Sequence, residues 1–194
     1  MKSLTTARGN PYVTMVWLTL LGSCMLFLFL IMIFSVRIHG TGWEKIGLPP
    51  SFYISSICIV ISSVTLHLSR ISLRKEEFRT VYFWLTLTLL LAIGFSVLQC
   101  IGWNSLFIRN SPSSHTSMAF TYLITGLHFL HIVLGLGALT WLWNGFRQNA
   151  RYVDSFVYNL NPRTATVYQT ATIFWHFLGI LWLLLFLVLW VNQP

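Results

Sequence analysis

The chain has 194 residues, of which 12 are Lys or Arg and 4 are Asp or Glu, while 56% are apolar and 16% are aromatic. A soluble domain carries charge on about a quarter of its residues, so this composition excludes a soluble enzyme, a disordered segment and a nucleic-acid-binding module. The net charge of +8 does not indicate nucleic-acid binding either, because the basic residues are scattered between apolar runs. The composition predicts an integral membrane protein.

Five runs without Asp, Glu, Lys or Arg are long enough to cross a bilayer as helices, which takes about 20 residues each. They lie at about 12–36, 51–69, 81–103, 117–143 and 166–191. They predict an all-α bundle of five transmembrane helices, with the whole chain, 1–194, as a single membrane domain. The first run follows two basic residues, as a signal peptide does, but it is too long for one and no cleavage pattern follows it. We therefore expect it to be retained.

The loops predict the orientation, because Lys and Arg concentrate on the cytoplasmic side of a membrane. Nine basic residues lie on one side of the predicted spans and three on the other, which places the N-terminus in the cytoplasm and the C-terminus outside. The larger group consists of Lys2, Arg8, Arg70, Arg74, Lys75, Arg79, Arg147, Arg151 and Arg163, and the smaller group of Arg37, Lys45 and Arg109.

The second predicted helix carries a stripe of small, weakly polar side chains at alternating spacings of 4 and 3, which places them on one helix face. The stripe consists of Ser51, Ser55, Cys58, Ser62, Thr65 and Ser69. Within a bilayer such residues usually mark a helix contact, although a small transporter or channel could also use them to line a pore. A proton pump is disfavoured, because it keeps ionised residues at membrane depth and all four acidic residues here lie in loops: Glu44, Glu76, Glu77 and Asp154.

The fourth and fifth predicted helices carry similar stripes that include three histidines. These stripes are Ser117, Thr121, Ile124, His128, His131, Gly135 and Ala138, and then Gln169, Thr172, His176, Gly179 and Leu183. Histidines in a membrane need partners, and two explanations are open: hydrogen bonds between helices, or ligation of a haem or metal ion. The sequence favours hydrogen bonds, because no span contains a carboxylate that could orient a ligating imidazole.

Two segments resemble signatures of the haem-copper oxidase subunit III family. Thr125–Gly135 is similar to its T-G-x-H-x-x-H-x-x-x-G motif, and Phe174–Trp182 is similar to its W-H-F-x-D-x-x-W motif. Two weaker similarities occur in the family's order: Gln99 with Trp103 resembles Q-x-x-E-[YW], and a Pro-led, Ser-rich helix follows Leu48. The resemblance extends from about Val16 to the end of the chain.

The resemblance implies a five-helix bacterial form of a subunit that binds neither haem nor copper and has no catalytic or metal-binding residue of its own. It implies a role in stabilising subunit I of a cytochrome c or quinol oxidase, which holds the haem and copper, and in supporting aerobic electron transport in the bacterial inner membrane. Further implied partners are other oxidase subunits, a respiratory supercomplex and phospholipid at the interface, but no nucleic acid. The residues we assign to interhelical contacts are His128, His131, His176, Gln99, Thr125, Gly135, Trp175, Trp182, Ser55, Ser62 and Ser69.

The sequence departs from the family pattern at its intramembrane acids. Ser23 occupies the place of an acidic residue in the first of these helices, Gly102 stands at the Glu of Q-x-x-E, and Gly179 stands at the Asp of W-H-F-x-D. We therefore expect a divergent subunit whose role is mainly structural. The alternatives are an accessory protein of a nitric oxide reductase and a small haem-b electron carrier that uses His128, His131 and His176.

Overall fold

The computed structural model describes residues 11–38, 40, 47–109, 115–148 and 161–192, and these form five helices. The helices are α1 (Pro11–Ile38), α2 (Pro50–Arg74), α3 (Phe78–Arg109), α4 (His115–Gln148) and α5 (Pro162–Val191). Each helix contains one of the predicted apolar runs, and each is long and apolar enough to cross a membrane. For the described residues, the prediction of an all-α bundle with five helices able to cross a membrane is confirmed.

The helix ends follow from local sequence. Three of the helices begin at a proline: Pro11, Pro50 and Pro162. Proline lacks a backbone N–H, and at the first position of a helix this costs no hydrogen bond, because an N–H there has no acceptor within the helix. The turn from α2 to α3 is short because Glu76 adopts a left-handed backbone conformation, with φ of 60°. The N–H of Glu77 then donates a hydrogen bond to the carbonyl of Ser72 at 3.0 Å, which satisfies a carbonyl at the end of α2. These two helices therefore form a tight antiparallel hairpin.

Four helices form the main bundle, and α1 lies at its side. The hairpin of α2 and α3 has the most extensive contact, α4 packs against α3, and α5 packs against both α4 and α2. Within the described residues, α1 contacts only α4 and α5. Thus α5 lies between α1 and α2 and contacts three other helices, α1, α2 and α4.

Two clusters of buried apolar side chains hold this arrangement together. The larger cluster joins α2, α3, α4 and α5, and includes Phe52, Phe95 and Ile132. The smaller one places Phe27 and Phe34 of α1 against the side of α5 and α4. Large side chains such as these fill the core, whereas about half of the apolar residues described on α1 are exposed on the bundle surface. Such a surface suits a lipid environment or a neighbouring membrane helix.

The orientation stays a prediction. Lys2, Arg8, Lys45 and Arg151 lie outside the described residues, as does Asp154. The remaining basic residues that the prediction places on the cytoplasmic side lie at or near the end of α2, the start of α3, the end of α4 and the start of α5.

Candidate functional site

The serine stripe of α2 faces α3 and α5. Ser55, Ser62 and Ser69 are fully buried, and each hydroxyl accepts a hydrogen bond from a side chain of another helix. Ser55 Oγ accepts from Gln99 Nε2 of α3 at 2.9 Å. Ser62 Oγ accepts from Trp175 Nε1 of α5 at 3.1 Å, and Ser69 Oγ accepts from Tyr168 Oη of α5 at 2.8 Å. The structure thus places five of the predicted contact residues in interhelical hydrogen bonds: Ser55, Ser62, Ser69, Gln99 and Trp175.

These serines also donate to backbone carbonyls. Ser55 Oγ donates to the carbonyl of Phe52 at 2.9 Å, and Ser62 Oγ donates to that of Ile59 at 2.8 Å. A hydroxyl offers one donated hydrogen and two acceptor lone pairs. The backbone carbonyl therefore takes the hydrogen, and a lone pair remains for a donor from the facing helix. A hydroxyl can therefore bond to its own helix and to the facing helix at once, which explains why serine suits these positions. At position 62, for example, alanine would leave the buried indole N–H of Trp175 without a partner.

The 3–4 spacing along α2 did not identify every residue that bonds α2 to its neighbouring helices. Trp182 Nε1 donates to Ser56 Oγ at 2.9 Å, and Ser56 lies one position away from the 3–4 stripe. Thr65 Oγ1 lies 2.8 Å from Thr88 Oγ1, which ties α2 to α3. The sequence did contain a signal for these acceptors, namely Trp175 and Trp182 of α5, because a buried indole N–H needs an acceptor. We call the polar seam the set Ser55, Ser56, Ser62, Ser69, Gln99, Tyr168, Trp175 and Trp182.

A second group of hydrogen bonds links α3 and α4. Trp103 Nε1 donates to the predicted residue Thr125 at 3.0 Å, and Tyr122 Oη donates to the carbonyl of Trp103 at 2.8 Å. Further along the same pair of helices, Trp143 Nε1 donates to Thr86 Oγ1 at 2.9 Å. Tryptophan and threonine therefore make a repeated contact that keeps α3 and α4 in register.

The three histidines occupy different environments. His131 Nδ1 lies 2.8 Å from the carbonyl of Leu127 and Nε2 lies 3.1 Å from Ser23 Oγ of α1. Because a carbonyl can only accept, Nδ1 carries the hydrogen and Nε2 accepts from the serine hydroxyl. Both ring nitrogens of His131 are therefore engaged, and Ser23 keeps a polar contact between α1 and α4.

His128 is held by rings instead of hydrogen bonds. It is 1% exposed, and neither ring nitrogen has a hydrogen-bond partner within the described residues. Its ring stacks on Trp182 with centroids 5.4 Å apart, and the rings of Phe27 and Phe95 meet it edge-on at 6.3 Å. His176 is half-buried on α5, next in sequence to the fully buried Trp175. Among the described residues, no three His, Cys, Asp or Glu side chains converge as a metal site would require.

Gly102 and Gly179, which stand where the family motifs have an acidic residue, lie at tightly packed helix contacts. A methyl group on Gly102 would collide with the ring of Phe52 and would lie 2.8 Å from Ser51 Oγ. A methyl group on Gly179 would lie 3.1 Å from Ser63 Oγ. The predicted contact residue Gly135 has a similar role, since a methyl group there would lie 3.1 Å from atoms of both Leu178 and Trp175. At these three positions glycine permits helices to approach closely.

Replacing Ser62 by leucine is expected to lower the amount of folded chain in the membrane. The added volume overpacks a fully buried position, at a cost of about 1–3 kcal/mol. Replacement by alanine adds no volume and removes the hydrogen bonds of Ser62 with Trp175 and with the carbonyl of Ile59, and an interhelical hydrogen bond in a membrane is worth about 0.6 kcal/mol. Quantitative blotting of membranes should rank wild type above Ser62→Ala and Ser62→Leu lowest, and equal levels of the two variants would show that Ser62 is not tightly packed.

Comparison with known proteins adds a family match. The family model described as cytochrome c oxidase subunit III matches residues 16–193. The chain is 24% identical to a cytochrome bo(3) ubiquinol oxidase subunit 3 of Buchnera aphidicola subsp. Schizaphis graminum, covering 96% of each protein. It is 26% identical to the cytochrome c oxidase subunit 3 of Bacillus subtilis, covering 96% of this chain and 88% of the relative. A cytochrome bo(3) ubiquinol oxidase subunit 3 of Pseudomonas aeruginosa is 25% identical, with 90% of this chain and 82% of the relative covered.

Proposed function

The chain belongs to the cytochrome c oxidase subunit III family, and from this premise we propose that it is the non-catalytic subunit III of a respiratory haem-copper terminal oxidase. It is a multi-pass protein of the bacterial inner membrane and takes part in aerobic respiration. The observation that carries the structural role is the polar seam. Its hydrogen bonds join α2 to α3 and α5, and they involve Trp175 and Trp182 of the family's last motif. These contacts give the bundle a rigid shape that a larger subunit can pack against.

The finer parts of the proposal concern partners and placement. The chain forms one membrane domain, with its N-terminus in the cytoplasm, and packs against subunit I, which carries the haem and copper. Phospholipid fills the interface, and further oxidase subunits complete the assembly. Supporting this, the exposed surface of the five helices is largely apolar, as a surface that contacts lipid and other membrane helices must be.

The alternative functions fit the geometry less well. A haem carrier would need free imidazole nitrogens, but His131 uses both of its nitrogens and His128 is enclosed by Phe27, Phe95 and Trp182. A channel lined by the α2 hydroxyls is also disfavoured, because those hydroxyls are buried against neighbouring helices. An accessory protein of a nitric oxide reductase would have the same helix bundle. The identity of the partner protein therefore distinguishes this function from that of an oxidase subunit.

Purification from native membranes through an affinity tag on this chain tests the proposal. We expect mass spectrometry to find an oxidase large subunit in equimolar amount, and metal analysis to find copper in the complex. Co-purification with a copper-free nitric oxide reductase, or recovery of the chain without any haem-containing partner, would contradict it.

A further inference from the structure

Two buried polar side chains on facing helices lack a hydrogen-bond partner. His128 of α4 is 1% exposed and Gln99 of α3 is 2% exposed. Among the described residues, no atom bonds to either ring nitrogen of His128 or to Oε1 of Gln99. A helix rises about 1.5 Å per residue, so Gln99 lies about 15 Å from the end of α3 and His128 about 20 Å from the start of α4. At such depth neither side chain reaches bulk water, and hydrocarbon offers no donor or acceptor.

The hydrogen bond between Gln99 and Ser55 fixes which amide atom of Gln99 is free. Ser55 Oγ donates its hydrogen to the carbonyl of Phe52 at 2.9 Å, so towards Gln99 it can only accept. The Gln99 atom that lies 2.9 Å from Ser55 Oγ is therefore the amide nitrogen, and Oε1 is the atom that needs a donor. A neutral imidazole carries a hydrogen on one nitrogen and a lone pair on the other. His128 therefore needs an acceptor and can itself accept.

Contacts between α3 and α4 place these two side chains at the same level of the bundle. Phe95 of α3 meets the ring of His128 edge-on, with centroids 6.3 Å apart. Two turns further along α3, Trp103 Nε1 donates to Thr125 of α4 at 3.0 Å. Gln99 lies one turn from both Phe95 and Trp103, on the same side of α3. It is therefore level with the turn of α4 that runs from Thr125 to His128.

Other contacts connect the remaining helices of the main bundle at this level. The ring of His128 stacks on Trp182 of α5, with centroids 5.4 Å apart, and Trp182 Nε1 donates to Ser56 of α2 at 2.9 Å. The adjacent residue of α2, Ser55, accepts from Gln99 of α3. These contacts lead from α4 through α5 and α2 to α3. One link between Gln99 and His128 would close them into a ring around the four helices.

This link must be small and neutral, and it must both donate and accept. The apolar runs 81–103 and 117–143 contain no Asp, Glu, Lys or Arg, so no side chain there would balance the charge of a bound ion. Water meets these requirements, because one molecule can donate to Gln99 Oε1 and make a second hydrogen bond with a ring nitrogen of His128. We propose that Gln99 and His128 together bind an ordered water molecule inside the bundle, and that this water joins α3 to α4. The inference concerns the bundle alone and does not depend on the identity of the partner subunits.

A density map of the native complex, purified through a tag on this chain, tests the site directly. In a cryo-electron microscopy map that resolves ordered water, we expect a peak within hydrogen-bond distance of both Gln99 Oε1 and a ring nitrogen of His128. A direct hydrogen bond between the two side chains, or a map without such a peak, would overturn the proposal.

Radiolytic labelling tests for the water in solution. X-rays generate hydroxyl radicals from a bound water, and these radicals oxidise neighbouring side chains even where bulk water has no access. Trp175 and Trp182 form a matched pair within the chain, since both are fully buried and both donate to a serine of α2. Because Trp182 stacks on His128, it should be oxidised several-fold faster than Trp175 in the native complex. Equal rates for the two tryptophans would contradict a water at His128.

Two substitutions test whether both side chains hold the water. His128→Phe removes the ring nitrogens but keeps an aromatic ring, and Gln99→Leu removes the amide. Each should lower the oxidation of Trp182 to the rate of Trp175, because the water then loses one of its two partners. Cys100→Ala is the control, since it changes an exposed residue next to Gln99 and should leave the oxidation of Trp182 unchanged. Oxidation of Trp182 at the wild-type rate in either His128→Phe or Gln99→Leu would overturn the proposal, and the wild-type comparison of the two tryptophans decides it if a variant fails to assemble.

Discussion

Replacing Gly102 by alanine is expected to destabilise the chain by about 1–3 kcal/mol, and replacing it by glutamate should prevent the folded protein from accumulating. The added methyl group would collide with the ring of Phe52, which is fully buried between α2, α3 and α5. A glutamate would also bring a carboxylate into a site that the ring of Phe52 and the hydroxyl of Ser51 already fill. The measurement is the free energy of unfolding of the purified chain in detergent micelles, with membrane levels as a second readout.

Gly94 provides the matched control on the same helix. It lies two turns before Gly102, and a methyl group added there would meet no atom within 4 Å. Gly94→Ala should therefore be neutral or stabilising by up to about 1 kcal/mol, as expected when glycine is replaced in a helix. Combining Gly102→Ala with Phe52→Leu should recover part of the lost stability. If Gly102→Ala proves as stable as Gly94→Ala, the close contact of α2 with α3 is wrong.

Replacing Trp175 by alanine should destabilise the chain by about 3–5 kcal/mol, as expected for a fully buried tryptophan. Trp175 is fully buried, contacts the core of α2 to α5, and donates its indole N–H to Ser62. Its ring also lies against Gly135 of α4. The variant leaves a large cavity at the point where three helices meet, so we expect loss of both the folded chain and the assembled complex.

Two further variants separate the causes of that loss. Trp175→Phe keeps most of the volume but removes the hydrogen bond, and should cost about 0.6 kcal/mol plus a smaller packing term. Trp190→Ala removes the same side chain from α5 at a position that is 50% exposed, and should have little effect on stability. A similar loss for Trp190→Ala and Trp175→Ala would mean that tryptophan content, and not the core position, determines stability.

The fold could be predicted from the sequence because its strongest signal is local. Each apolar run is long enough to be a helix and is bounded by charges, prolines or polar residues. The stripe of small side chains on α2 was similarly visible, since a spacing of 3 and 4 places Ser55, Ser62 and Ser69 on one face whatever surrounds them. The structure shows all three of these serines buried between helices.

The pairing of side chains could not be predicted, because it depends on how helices far apart in sequence are rotated and shifted. Ser56 accepts from Trp182 although it lies beside the stripe. Nothing in the sequence showed that Phe52 would fill the space beside Gly102. The histidines differ for the same reason: His131 is hydrogen-bonded at both nitrogens, whereas His128 lies among rings. The role of the three histidines as interhelical contacts in the assembled complex stays a prediction.

The positions of the missing acids are not equivalent. Ser23 still makes a polar contact with His131 at 3.1 Å, so α1 and α4 remain joined where the family pattern has an acid. Beside Gly102 and Gly179 the space is occupied by side chains of α2, Phe52 and Ser63 respectively. We infer that Ser23→Glu would be accommodated far better than Gly102→Glu. The loss of the two acids is thus built into the packing of α2 against α3 and α5.

The most direct test of a purely structural role is the haem spectrum of the complex purified with and without this chain. If this chain contributes no ligand, as proposed, the reduced-minus-oxidised spectrum should show the same haem bands, at the same intensity per large subunit. The yield of complex should fall when the chain is absent. Loss of a b-type haem band in the complex that lacks the chain, or a haem band in the isolated chain, would contradict the account.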